Sequence, residues 1–187
     1  MKKKFFKSFL ITFLLFLSIG TRNINSQVNL NDFYNTKALT KINNKDYEGA
    51  LKELNESIKI GPSSGQFHYK DSYGLRAKVN YELGNYEEAL EDINIYINHF
   101  PNQEPLYDLR QTIKYNLEDY AGAIEDTNIM LIINPKSGKA YSYRGLSKLK
   151  LGRKKEACSD FKKALGILGG SDLGFITWGI MDMHCKQ

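Results

Sequence analysis

A period of 34 residues dominates this sequence. Tyr73, Tyr107 and Tyr141 recur at that interval, and so do Arg76, Arg110 and Arg144. Ala89, Ala123 and Ala157 keep it too, as do Asp92, Asp126 and Asp160, and Pro101 and Pro135. Tracks of different chemistry that share one period mark tandem copies of a single structural unit. An insertion of five residues, Gly65 to Tyr69, separates these copies from an earlier one. There Tyr34, Lys37, Tyr47, Ala50, Glu53 and Pro62 fall on the same tracks. Four units are expected, over 31–64, 70–103, 104–137 and 138–171.

Each unit reads as two helices. In the second, Tyr73, Ala77, Val79 and Leu83 lie near helical spacing before Gly84 and Asn85. Ala89, Leu90, Ile93, Tyr96 and Ile97 then form another stripe up to Pro101. Gly and Asn break the first helix, and Pro stops the second. A pair this short cannot bury its apolar face alone, so the units must stack. The expected fold class is all-α, a right-handed solenoid of antiparallel helix pairs. Residues 172–187 fit the first helix of a truncated fifth unit that caps the stack. Phe175 falls on the Tyr track, Trp178 on the Arg track and Gly179 on the small-residue track of Ala77 and Gly145.

These residues resemble the tetratricopeptide repeat family. The likeness rests on Leu83, Gly84, Asn85, Tyr86, Glu87, Glu88, Ala89 and Leu90 followed by Pro101. In the last unit it rests on Tyr141, Arg144, Gly145, Gly152, Ala157, Phe161 and Ala164. Several positions depart from the family pattern. Lys45 and Glu118 stand where Gly is usual, Thr127 where a large apolar residue is usual, and Gly169 where Pro is usual.

The resemblance implies that the first helices form a concave surface for a protein or peptide partner. The residues placed there are Asn35, Leu39 and Asn43 in the first unit and Lys78, Tyr81 and Glu82 in the second. The third contributes Asp108, Thr112, Tyr115 and Asn116, the fourth Ser142, Leu146 and Lys150. Tyr and Asn combine apolar area with hydrogen bonding, which suits a peptide segment. The alternative is plain solvated helix surface. Chaperone-adaptor members of the family clamp a terminal carboxylate with Lys, Asn and Arg on these helices. Here Asn35, Leu39, Asp108 and Thr112 occupy four of the matching sites, so that clamp is absent.

Charge narrows the function classes. Of 26 Lys and Arg residues, Lys2, Lys3, Lys4, Lys7 and Arg22 precede Gln27, and the remainder balances the 21 Asp and Glu residues. A nucleic-acid binder needs a basic excess in its folded part to neutralise phosphates, and this chain keeps none. The basic start is followed by an apolar run from Phe9 to Ile19. That layout is a secretory signal peptide, with cleavage expected after Gly20 or Ser26. The run is far shorter than the roughly 20 residues a spanning helix needs, so no stable membrane insertion is expected after removal. The expected location is the periplasm or the exterior.

No catalytic, cofactor or metal site is expected. His68, His99 and His184 are scattered, and His184 beside Cys185 lacks the spacing of zinc ligands. Gly169 and Gly170 follow a helix rather than opening one, so they read as a C-cap and not a phosphate loop. Lys37, Arg76, Arg110 and Arg144 on first helices face Glu53, Asp92, Asp126 and Asp160 on second helices. Structural pinning and a basic stripe for an acidic peptide compete for this ladder. If the last helices are antiparallel, Cys158 and Cys185 reach similar heights. A disulfide there would staple the cap, contributing about 3 kcal/mol in the chain-entropy account, while a greasy helix could equally bury both thiols. The chain is thus expected to be an exported, non-enzymatic scaffold. The alternative is a self-assembling component whose Trp178 helix is an oligomer interface.

Overall fold

In the computed structural model, described over residues 30–61 and 68–185, the chain is a row of helices. They are α1 (Leu30–Asn43), α2 (Tyr47–Ile60), α3 (His68–Leu83), α4 (Tyr86–His99), α5 (Glu104–Asn116), α6 (Tyr120–Ile133), α7 (Gly138–Lys150), α8 (Lys154–Leu168) and α9 (Asp172–Cys185). The all-α solenoid expected from the period is the architecture observed. Helix α3 begins at His68, so the end of the inserted segment joins the helix rather than a loop. The leader, both cleavage junctions and residues 62–67 lie outside the described residues.

Each helix packs on its neighbours in the chain, and α1 also touches α3. Contacts this local give a core that runs along the stack instead of gathering at one centre. One cluster holds Ala38, Ala50, Leu54 and Val79. A longer one runs from Ala77 and Ile93 through Tyr107, Ile113 and Met130 to Ala140. Small and large residues alternate across the helix contacts. Gly145 illustrates why: a Cβ there would come within 2.5 Å of the Phe161 ring.

The turns inside the four pairs share one backbone device. Gly84 and Gly152 take φ of 82° and 74°, and Lys45 and Glu118, on the same track, are driven to 58° and 62°. A left-handed residue ends the first helix of each pair. Asp46 and Asp119 then accept the backbone N–H groups of Gly49 and Gly122 at 2.9 and 2.8 Å, capping the second helix. The two departures from glycine are therefore absorbed as strain, without changing the turn.

Helix α9 is fixed in three ways. Its Gly174 and Thr177 are buried, the Thr177 and Ser142 hydroxyls meet at 2.7 Å, and a disulfide joins Cys158 to Cys185. The bond unites residues 27 apart in sequence, tying α9 to α8. At the other end, Asn31 donates to Ser57, Ser57 pairs with Ser72, and Ser72 donates to Asn35, so buried polar groups link α1, α2 and α3.

A non-glycine residue in the left-handed region costs on the order of 1 kcal/mol. Glu118→Gly should therefore raise stability by only a few tenths of a kcal/mol, because the extra freedom of the unfolded chain offsets about 0.4–1 kcal/mol of the relieved strain. The midpoint of urea unfolding monitored by far-ultraviolet circular dichroism checks this, and a lowered midpoint would refute it.

Candidate partner-binding face

The first helices α1, α3, α5 and α7 are held in line by ion pairs that span each unit and reach into the one before. Arg76 donates to both oxygens of Asp92 at 2.7 and 2.8 Å and to Asn55 of the preceding unit at 2.7 Å. Arg110 does the same with Asp126 and Asn94. Arg144 does so with Asp160 and Asn128. In the first unit Lys37 pairs with Glu53 at 3.0 Å. Each ladder guanidinium also stacks over a tyrosine three residues earlier, at 5.3–5.6 Å from the ring centroid. All four rungs are closed, so the ladder pins the helices and offers no basic stripe to an acidic peptide.

Lys114 and Lys148, one period apart, add a second cation to Asp126 and Asp160 at 3.0 and 2.7 Å. The three ladder aspartates are buried. A buried carboxylate held by one bidentate Arg and a Lys is costly to break from one side, because the surviving charges lose their partner. Burial pushes the Asp160 carboxyl up, but the hydrogen bonds from Arg144 and Lys148 outweigh it and leave the group below its ordinary value.

The structure distributes the sequence-predicted face residues unevenly. Leu39, Asn43, Lys78, Glu82, Asn116 and Lys150 are exposed, and Tyr81, Asp108, Thr112, Tyr115 and Leu146 are half-buried. Asn35 and Ser142 differ from the expectation: both are buried, Asn35 bonded to Ser72 and Ser142 to Thr177. Short polar side chains at that register fit where neighbouring first helices come together, and their hydrogen bonds serve the stack.

Three of the half-buried residues, Thr112, Tyr115 and Leu146, converge between α5 and α7. Gln111, Thr112, Tyr115, Tyr143 and Leu146 line a mostly apolar pocket of about 110 Å³. Gln111 donates to the Thr112 hydroxyl, which donates to the Asp108 carbonyl, holding this side of the pocket along α5. One turn further along both helices, Lys139 of α7 reaches Asp108 of α5 at 2.7 Å. Lys139 also sits 5.6 Å above the Tyr143 ring. Burial draws the Lys139 ammonium down, yet Asp108 overrides this and leaves it above its ordinary value. Burial holds the Tyr81 and Tyr115 phenols above theirs, so both remain neutral at physiological pH. Their rings pack on Tyr86 and Tyr120 at 5.8 and 5.2 Å.

Sequence reading missed Gln111 and Tyr143 as lining residues, although Tyr143 lies three residues before Leu146 on the same helix face. It also missed the Asn55, Asn94 and Asn128 track, which keeps the period once the five-residue insertion is counted. Among the described residues, no cluster of three His, Cys, Asp or Glu side chains could hold a metal ion. No described helix is long and apolar enough to cross a membrane.

A carboxyl depressed in the folded chain contributes stability that is present above its unfolded pKa of about 3.9 and lost as pH falls through the folded value. The stability gap between the native chain and Asp160→Asn should therefore be widest above about pH 5 and narrow toward pH 2. Urea midpoints measured across that range provide the test, and a gap independent of pH would refute it.

A family model described as the tetratricopeptide repeat matches residues 138–167. No curated protein sequence matches the chain. The MamA RS-1 ArsTM double mutant superposes with a TM-score of 0.74 at 14% identity, covering 87% of this chain and 88% of that one. YrrB, described as a TPR protein with an unusual peptide-binding site, gives 0.72 at 13% identity over 82% of this chain and 76% of its own. The first TPR of Spaghetti (RPAP3), bound to the HSP90 peptide SRMEEVD, gives 0.55 at 21% identity over 61% and 90%. The fold of this chain is that of a tetratricopeptide helical-repeat solenoid.

Proposed function

We propose that the chain is an exported, non-enzymatic scaffold that holds a protein or peptide segment on the concave face formed by α1, α3, α5 and α7. The observation that carries this reading is the patch around Tyr81, Tyr115 and Tyr143. These aromatic rings and a mostly apolar pocket lie on helices held in place by buried ion pairs. Rigid aromatic side chains supply contact area at little cost in conformational entropy, and a pinned backbone adds little more. Two proteins of the same fold bind peptides: YrrB has an unusual peptide-binding site and the Spaghetti domain holds an HSP90 peptide. The apolar leader and a disulfide suited to an oxidising compartment support export to the periplasm or exterior.

Replacing both tyrosines, Tyr81→Ala with Tyr115→Ala, should weaken partner capture at least tenfold while leaving solution mass and helix content unchanged. The check is a quantitative pull-down by the chain from Gln27 onward, with light scattering and circular dichroism on the same samples. Undiminished capture would refute the reading.

A second reading has its own support. Phe175, Ile176, Trp178 and Met183 of α9 are 66, 60, 55 and 73% exposed, an apolar surface large for a terminal cap. Gly145 is packed by the Phe161 ring, whereas a Cβ at Gly179, one period later, would meet nothing within 4 Å. That face has room for a further helix, which a second copy could supply. On this reading light scattering gives a concentration-dependent mass that Trp178→Asp reduces to the monomer. A native monomer at every concentration excludes it.

A further inference from the structure

One register position departs from the rest of the ladder. Lys114 and Lys148 give Asp126 and Asp160 a second cation at 3.0 and 2.7 Å. Lys41 keeps the same track once the insertion is counted, and pairs with Asp46 at 3.1 Å. The second unit has Asn80 there instead. Asp92 is as buried as its counterparts, 2% exposed, yet Arg76 is its sole ionic partner among the described residues.

The fourth unit shows what the second lacks. There the Lys148 ammonium lies 2.7 Å from Asp160 and 3.8 Å from Glu156. Two periods earlier, Glu88 and Asp92 repeat that pair of carboxylates without a lysine between them. Asparagine is much shorter than lysine, and a mostly polar cleft of about 280 Å³ lies at this place between α2, α3 and α4. Leu51, Asn80, Glu88, Glu91 and Asp92 stand in its wall, and Arg76 is the one cation that lines it. Asn80 is only 4% exposed. Its Nδ2 donates to no described residue, and its Oδ1 takes just a long 3.5 Å approach from Asn85. A buried amide so poorly partnered is costly unless something else occupies the space it faces.

We infer that this cleft is a binding site for a primary alkylammonium group, seated where Lys114 and Lys148 hold theirs. A primary ammonium carries three donors. Asp92 and Glu88 accept two of them and the Asn80 amide oxygen the third, while the alkyl stem lies along Leu51. A quaternary ammonium has no donor to offer and is excluded by the same geometry. A lysine side chain of another protein and a free small amine share this chemistry. None of the tyrosines of the concave patch takes part, so the site stands apart from the scaffold reading.

The test titrates n-butylammonium, n-butyltrimethylammonium and n-butanol separately into the isotope-labelled chain from Gln27 onward, which keeps every described helix. Ionic strength is held constant and amide chemical shifts are followed by nuclear magnetic resonance. n-Butylammonium should bind at least about tenfold more tightly than either control, with shifts centred on Asn80 and on Asn85 to Asp92. Asn80→Lys brings an internal ammonium into the cleft, as in the third and fourth units, and should lower the affinity at least about tenfold. Glu88→Gln, at an exposed position, should lower it about threefold and serves if the lysine variant fails to fold. Nα-acetyl-lysine N-methylamide separates the two sources: tighter binding than n-butylammonium assigns a protein lysine, and equal or weaker binding a free amine. Equal binding of the primary and quaternary ammonium ions overturns the site, as does the absence of shifts around the cleft. Undiminished affinity in both folded variants overturns it too.

Discussion

The guanidinium between two units is the interaction on which the rest of the molecule depends. Arg76, Arg110 and Arg144 each grip an aspartate of their own second helix in a fork. Each also reaches an asparagine of the unit before. One side chain therefore fixes the pairing within a unit and the stacking between units. The planar fork of arginine makes this geometry available, and a lysine could not reproduce it. In the first unit, where no preceding asparagine is described, Lys37 stands on the same track and makes a simpler, more exposed pair.

A stack built from such local links has no central core, and this determines how its ends behave. The interior units bury ring against glycine and alanine, as Phe161 does against Gly145. The terminal helix cannot do so on its outer side. Helix α9 is secured by Thr177 and the disulfide on its inner side and leaves Phe175, Ile176, Trp178 and Met183 open on the other. Among the described residues no further helix packs on that side, so these apolar side chains stand exposed.

The same rigidity shapes the face between α5 and α7. Because the ladder holds these helices at a set distance, the space between them is not closed by collapse. Tyr115, Tyr143 and Leu146 line a pocket instead of filling it. Buried ionic groups commonly cost stability compared with well-packed apolar ones. Here they hold in place the helices that carry the pocket-lining side chains.

The sequence by itself determined the repeating architecture. Period, helix stripes and turn punctuation are local properties, so the all-α solenoid could be read directly, and the Arg and Asp tracks could be placed on facing helices with pinning and a basic stripe both open. It also marked Cys158 and Cys185 as being at similar heights without deciding whether they join. Only the tertiary structure decided what depends on neighbouring helices. It buried Asn35 and Ser142 in the stack, brought Tyr143 of one unit beside Tyr115 of another, and left Asp108 Oδ1 without a donor. It also showed that Lys45 and Glu118 keep the left-handed turn of glycine. The physical reason is range: periodicity fixes each residue's place on its own helix. Burial and pairing depend on how closely adjacent helices approach, and that is set by side chains 15 to 37 residues away in sequence.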